Sequence, residues 1–303
     1  MDENEWLAER FEDHRARLRG VAYRMLGSLT EADDAVQDAW LRLSRSGADQ
    51  VENLGGWLTT VVARVCLNML RSRTTRREDS FGVHLPDPMV SPDRTLQPED
   101  EALLADSVGL ALLVVLDTLS PAERLAFVLH DMFALSFEEI APMVGRTPTA
   151  ARQLASRARR RVKGAEVPAP DPDQARQRGV VDAFFQAARG GDFEALVTVL
   201  VPEVVLRIDA GSVLPVNSMV VNGASAVARQ ALTGMQVIFA RPDVRLIPTI
   251  VNGAAGAIIT FGGKPVTVMG FTVAEGRIAE IDSIADPDRV SRITASLFPG
   301  EAE

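Results

Sequence analysis

Residues 135–162 read LSFEEIAPMVGRTPTAARQLASRARRRV. Two stretches of helical periodicity flank Gly145-Arg146-Thr147-Pro148, the helix, glycine-containing turn, helix layout. At 100° per residue, Ala151, Leu154, Ala155, Ala158 and Val162 fall on one arc and face a core. Thr149, Gln153, Ser156 and Arg160 form the opposite face, with Arg152 and Arg157 on its flanks. Arginine and glutamine on such a face can bond guanine and adenine edges, and Thr and Ser can reach phosphates. A surface helix with solvated arginines would share the pattern. Between Arg146 and Lys163, however, lie six arginines, one lysine and no acid, and that weighs towards nucleic acid.

A second basic helix lies upstream, in NLGGWLTTVVARVCLNMLRSRTTRR (53–77), with five arginines and no acid from Trp57 to Arg77. Trp57, Arg64, Asn68 and Arg71 share one narrow face, while Leu58, Val62, Cys66, Met69 and Leu70 take the other. An aromatic in line with Arg and Asn suits single-stranded DNA, with bases stacking on the ring and arginines following the backbone. Packing of Trp57 against a neighbouring helix is an equal alternative. Cys66, in the middle of the apolar arc, is expected to be a buried structural thiol.

Before that, EADDAVQDAWLR (31–42) carries Glu31, Asp33, Asp34 and Asp38, with no basic residue between Arg24 and Arg42. Asp33, Asp34, Gln37 and Asp38 cover an arc of about 140° on a helix, and Leu41 falls inside it. Ala35, Val36, Ala39, Trp40 and Leu43 cover the other side. A solvated charged face is the ordinary reading. An acidic rim around an exposed leucine also fits a basic protein partner.

The 303-residue chain has a formal charge of −9 and 47% apolar residues. It is long enough for two or three ordered domains, and local basic patches outweigh total charge because salt screens beyond about 8 Å. One cysteine excludes an internal disulfide framework, and Cys66, His14, His84 and His130 lack metal-ligand spacing. The acidic N-terminus does not read as a signal peptide, and no apolar run approaches the roughly 20 residues that span a bilayer. The expectation is a cytoplasmic protein without metal, cofactor or membrane partner.

Residues 74–100 hold four prolines and many charges and read as a linker; EVPAPDPDQ is a second one. Helical periodicity resumes from about Glu101 to Val162. Beyond the second linker come a helix near 174–189, strands at 204–209, 244–251, 256–262, 265–273 and 277–284, and a helix near 223–238. That pattern suggests an α+β domain with a curved sheet wrapped over helices.

Taken in order, these segments resemble the sigma factors of bacterial RNA polymerase, of the extracytoplasmic-function class. EADDAVQDAWLRL resembles the polymerase-docking segment, GGWLTTVVARVCLNMLRSR the −10 reading segment, and LSPAERLAFVLHDMFALSFEEIAPMVGRTPTAARQLASRARRRV the −35 domain. The α+β part resembles the SnoaL-like, NTF2-like domain that some of these factors carry. The implied fold is two all-α sigma domains, the second with a helix-turn-helix, then a cone-shaped α+β domain. The implied division is 1–73 (region 2), 74–100 (linker), 101–163 (region 4), 164–173 (linker) and 174–303 (SnoaL-like).

The resemblance implies a promoter-specificity subunit. Asp33, Asp34, Gln37, Asp38 and Leu41 would meet the β′ clamp of core polymerase. Trp57, Arg64, Asn68 and Arg71 would hold −10 DNA. Thr149, Arg152, Gln153, Ser156, Arg157 and Arg160 would read −35 DNA. In the subgroup with the extra domain the linker carries Trp-Leu-Pro-Glu-Pro, here His84-Leu85-Pro86-Asp87-Pro88. An Asp-Gly-Gly-Gly-Lys motif stands here as Asp209-Ala210-Gly211-Ser212-Val213, without the lysine and two of the glycines. An Asn-Pro-Asp-Lys-Leu motif stands as Asp286-Pro287-Asp288-Arg289-Val290. These segments are expected to mediate a regulatory contact of the C-terminal domain with the sigma domains. Asp209, Asp282 and Arg207 could line a pocket for an unidentified small molecule. No nucleophile or general base with a partner stands out, so no enzymatic activity is expected. The competing readings are a stand-alone helix-turn-helix regulator and a helix-turn-helix protein fused to a ligand-binding or enzymatic NTF2-like domain.

Overall fold

The computed structural model describes residues 3–46, 53–77, 83–92, 109–165, 167–211 and 218–298. The chain forms two compact units, Met1–Ser80 with Leu112–Val167, and Phe81–Ala111 with Pro168–Glu303.

In the first unit α1 (Glu3–Leu26), α2 (Leu29–Ser46) and α3 (Leu54–Arg77) pack on one another. The apolar arcs expected from the sequence are the buried ones: Ala35, Val36, Ala39 and Leu43 on α2, and Leu58, Val62, Cys66 and Leu70 on α3. Burial pushes the Cys66 thiol up to about 12, which keeps it protonated and unreactive.

The same unit resumes at Leu112 within α4 (Leu110–Asp117) and continues with α5 (Pro121–Phe127), a π-helical turn (Val128–Met132), α6 (Phe137–Val144) and α7 (Pro148–Gly164). Capping boxes start α5 (Ser120 with Glu123) and α6 (Ser136 with Glu139), each satisfying donors that the first turn leaves free. Gly145, at φ 66°, ends α6, and Thr147 caps α7 with Pro148 in its first turn, so the hairpin follows from local chemistry. Arg124 of α5 joins the two halves of the unit. Its Nε donates to the carbonyl of Arg24 on α1 at 3.0 Å and its Nη1 to Asp117 at 3.0 Å, with the side chain 2% exposed.

The second unit is a seven-stranded mixed sheet with helices. Its strands are β1 (Val90–Pro92), β2 (Leu200–Asp209), β3 (Met219–Asn222), β4 (Val244–Val251), β5 (Ala254–Phe261), β6 (Lys264–Ala274) and β7 (Arg277–Ile284). The order is β1-β4-β5-β6-β7-β2-β3, with β2 and β7 parallel and the other pairs antiparallel. Helices α8 (Gln174–Gly190), α9 (Phe193–Val199) and α10 (Ala224–Phe239) pack with the sheet around Phe184, Phe185 and Phe271, whose rings meet edge-on at 5.5–5.6 Å. A last helix, α11 (Pro287–Thr294), lies along β6.

Four elements depart from the sequence reading: β1, α9, β3 and α11. Each is short, and β1 lies in the segment expected to be a linker. Residues 286–290 cap and begin α11 through the Asp286 carboxylate, which accepts from the Arg289 amide at 2.9 Å.

Gly211 follows β2 at φ 64°, and a Cβ there would collide with the Asp286 carboxylate. Gly211→Ala is therefore expected to lower the stability of the second unit by about 1–3 kcal/mol, measured by denaturant unfolding. Unchanged unfolding would contradict this packing.

Candidate nucleic-acid interface

Three surfaces of the first unit carry the expected site residues. On α7, Thr149, Arg152, Gln153, Ser156, Arg157 and Arg160 are all exposed, while Ala151, Leu154, Ala155 and Ala158 are buried. The expectation that no acid compensates these arginines needs correcting. Glu123 of α5 pairs with Arg157 at 3.1 Å and Arg161 at 3.0 Å, and Asp131 pairs with Arg159 at 2.6 Å. Arg152 lies over the Phe137 ring at 5.3 Å. The compensating acids stand 28 to 38 residues upstream, beyond any local charge count. Burial pushes the Glu123 carboxyl up, but hydrogen bonds from Ser120 and the two guanidinium charges outweigh this and hold it below the usual range.

On α3, Arg64, Asn68 and Arg71 are exposed and Trp57 is half-buried. The α3 face lies close to α6 within the unit, where Arg64 Nη2 reaches the Pro142 carbonyl at 3.5 Å. On α2, Asp33, Asp34 and Gln37 are exposed, Asp38 is half-buried and Leu41 is 42% exposed. Two of the acids have basic neighbours: Arg19 of α1 holds Asp33 at 2.7 Å, which a scan of the helix alone passes over, and Arg42, one turn along the same helix, holds Asp38 at 2.8 Å. Trp40 packs against Phe11, with ring centroids 5.1 Å apart.

The remaining site residues meet in the second unit. Asp209, 2% exposed at the end of β2, accepts from the Leu85 amide at 2.8 Å, from Arg289 Nη1 at 2.5 Å and from the Gly211 amide at 3.2 Å. His84 Nδ1 stands 3.6 Å from the same carboxylate. Arg289 also donates Nε to Asp87 at 2.7 Å and Nη2 to the Leu85 carbonyl at 2.5 Å. Both peptide groups of Leu85 are thus held, and the planar guanidinium, with five donors, is what reaches three acceptors at once. The two carboxylates keep Arg289 protonated against the cost of burial. Pro86 and Pro88 are buried beside this cluster. Asp288 lies in the first turn of α11, after Pro287. Met89 exchanges two hydrogen bonds with Asn252, at 2.7 and 2.9 Å, and β1 then pairs with β4. Of the altered 209–213 motif, Asp209 and Gly211 are the positions this geometry uses; Ser212 and Val213 lie outside the described residues.

Arg207 and Asp282 do not stand open to a ligand. Arg207 alternates with the core-packed Leu206 and Ile208, so it faces the other side of the sheet. There it pairs with Glu280 at 2.9 Å and Asp282 at 3.0 Å. Burial raises the Asp282 carboxyl to about 6 against the pull of Arg207. Among the described residues no cluster of His, Cys, Asp or Glu could hold a metal ion, and no helix is long and apolar enough to cross a membrane.

Known proteins agree with this layout. Residues 10–76 match the Sigma-70 region 2 family and residues 109–162 the Sigma-70 region 4 family. ECF RNA polymerase sigma factor SigJ of Mycobacterium tuberculosis (strain ATCC 25618 / H37Rv) is 36% identical over 92% of this chain and 91% of its own length. The chain belongs to the ECF RNA polymerase sigma factors. The "Probable ECF RNA polymerase sigma factor SigI" of M. tuberculosis (strain CDC 1551 / Oshkosh) is 34% identical over 99% of this chain and all of its own. The crystal structure of M. tuberculosis SigJ superposes with a TM-score of 0.74, at 33% identity, over 93% of this chain and 97% of that one. This sigma factor therefore has two helical sigma domains followed by a mixed sheet-and-helix domain.

The expectation that the chain has no enzymatic activity is withdrawn. An M. tuberculosis LEH-like epoxide hydrolase matches 42% of this chain and 98% of its own, at 15% identity and a TM-score of 0.24. So distant a likeness assigns no reaction, and the fold of this domain gives no ground for excluding catalysis.

Arg289→Gln removes the guanidinium that donates to Asp209, to Asp87 and to the Leu85 carbonyl. It is expected to destabilise the second unit by about 3–5 kcal/mol and to speed hydrogen exchange at the Leu85 and Met89 amides. Unchanged protection at those two amides would contradict the clamp.

Proposed function

We propose that this chain directs promoter-specific transcription initiation as a subunit of RNA polymerase, with its NTF2-like domain modulating that activity through the 84–92 segment. The order of surfaces along one chain carries this reading: an acidic helix, a basic helix with an aromatic, and a helix-turn-helix with an arginine-rich second helix, in a chain belonging to the sigma family. A stand-alone helix-turn-helix regulator would leave the first two surfaces without a role.

In this reading Asp34, Gln37 and Leu41 make the centre of the contact with the basic β′ clamp of core polymerase. Asp33 and Asp38 flank it and share their charge with Arg19 and Arg42. Trp57, Arg64, Asn68 and Arg71 hold the opened −10 strand, and α7 enters the major groove at −35. The NTF2-like domain acts as a curved, cone-like cover over its helices. Its influence passes through residues 83–92, which follow the first half of the first unit in sequence and belong to the second unit. Clamping Leu85 and adding β1 to the sheet limits the reach of that connection.

The test is initiation by core polymerase supplied with this chain, on a template chosen by the holoenzyme from random DNA. Promoter-specific transcripts are expected only when both are present. Asp34→Arg with Asp38→Arg is expected to reduce them by at least about tenfold, since like charges facing across an interface cost several kcal/mol. Normal initiation by that variant would contradict the docking assignment.

A further inference from the structure

The arginines of α7 are not equivalent. Thr149, Gln153, Ser156 and Arg160 make one exposed stripe along the helix. Arg157 and Arg161 lie to one side of it, tied to Glu123 at 3.1 and 3.0 Å. Arg159 lies to the other side, tied to Asp131 at 2.6 Å. Among the described residues no ion pair holds Arg160. The Glu123 side chain is 7% exposed, whereas Arg157 and Arg161 keep 51% and 55% exposure, so the carboxylate grips both from beneath and leaves their outer donors free. Glu123 is itself fixed, because Oε2 accepts from the Ser120 hydroxyl at 2.7 Å as part of the α5 cap.

A helix seated in a major groove about 12 Å wide meets base edges along its centre and a row of phosphates on either side. Phosphate contacts fix register and orientation; base contacts read sequence. An unrestrained pair of arginines can reach alternative phosphates and so supports binding in any register.

We propose that Glu123 is a positioning residue for DNA reading: it holds Arg157 and Arg161 as one fixed phosphate clamp and offsets part of their charge, leaving discrimination to the central stripe. This rests on the reading of α7 as the promoter-reading helix. It assigns Arg157 to the phosphate row, not to a base edge. Each guanidinium offers five donors in a planar fork, so an edge bonded to Glu123 leaves others for a phosphate oxygen.

The experiment uses holoenzyme assembled from core polymerase and the full chain. A duplex enriched by wild-type holoenzyme from random DNA is compared with a scrambled duplex of the same composition, with dissociation constants measured between about 50 and 200 mM salt. Glu123→Gln keeps one acceptor oxygen for the Ser120 cap, and removes the charge together with one of the two oxygens that the arginines use. It is expected to bind the scrambled duplex more tightly, to steepen the salt slope by about 0.9, and to shrink the ratio between the two duplexes. Arg157→Gln with Arg161→Gln is expected to make the slope shallower by about 1.8 on both duplexes. A Glu123→Gln holoenzyme with unchanged ratio and slope overturns the proposal. So does equal weakening on both duplexes with a lowered melting temperature, the mark of a purely structural role. If wild-type holoenzyme enriches no sequence, the promoter-reading assignment itself has failed, an outcome distinct from the other two.

Discussion

A carboxylate buried to 2% exposure must be met by donors, and Asp209 sets that requirement for the second unit. Its donors come from three separated places: the Leu85 amide, the Gly211 amide and the Arg289 guanidinium. Once Arg289 is drawn in, its remaining donors take Asp87 and the Leu85 carbonyl. The segment from 84 to 92 is then held at both ends, by the ion cluster and by the pairing of β1 with β4. A proline-containing stretch becomes the edge of a sheet, because it buries Leu85 and Met89 and because an ionic requirement elsewhere is met through its backbone.

Charge is compensated across the fold in the first unit also. The arginines of α7 look uncompensated along the chain, yet α5 and the π-helical turn bring Glu123 and Asp131 up to them. On α2 the Asp33 charge is shared with Arg19 of α1, and that of Asp38 with Arg42 one turn along the same helix. What remains unshared is narrower than the sequence implies: Asp34, Gln37 and Leu41 on one helix, and the stripe through Gln153 and Arg160 on another. Specificity in both places is a matter of which charges the protein leaves available.

The helices of the first unit were legible because amphipathic periodicity and capping residues agree; the arcs calculated for α2, α3 and α7 are buried except at Trp40, Met69 and Val162, which are half-buried. The four later strands were legible from alternating or continuous apolar runs between glycine turns. β1, β3, α9 and α11 were not, since three to eight residues give too short a window for either period. The clamp residues were reached only through family resemblance. No local pattern ties Leu85 to Asp209 or Arg289, 124 and 204 residues away. The buried position of Pro86 and Pro88 follows from that long-range contact and not from proline content.

The most direct measurement of the central claim is a binding titration of core RNA polymerase against the labelled full chain. A sigma subunit should saturate at one chain per core enzyme, and the complex should weaken as salt rises, because the contact at α2 is acidic against basic. No saturable complex at low salt, or one indifferent both to salt and to reversal of charge at Asp34, would contradict the account.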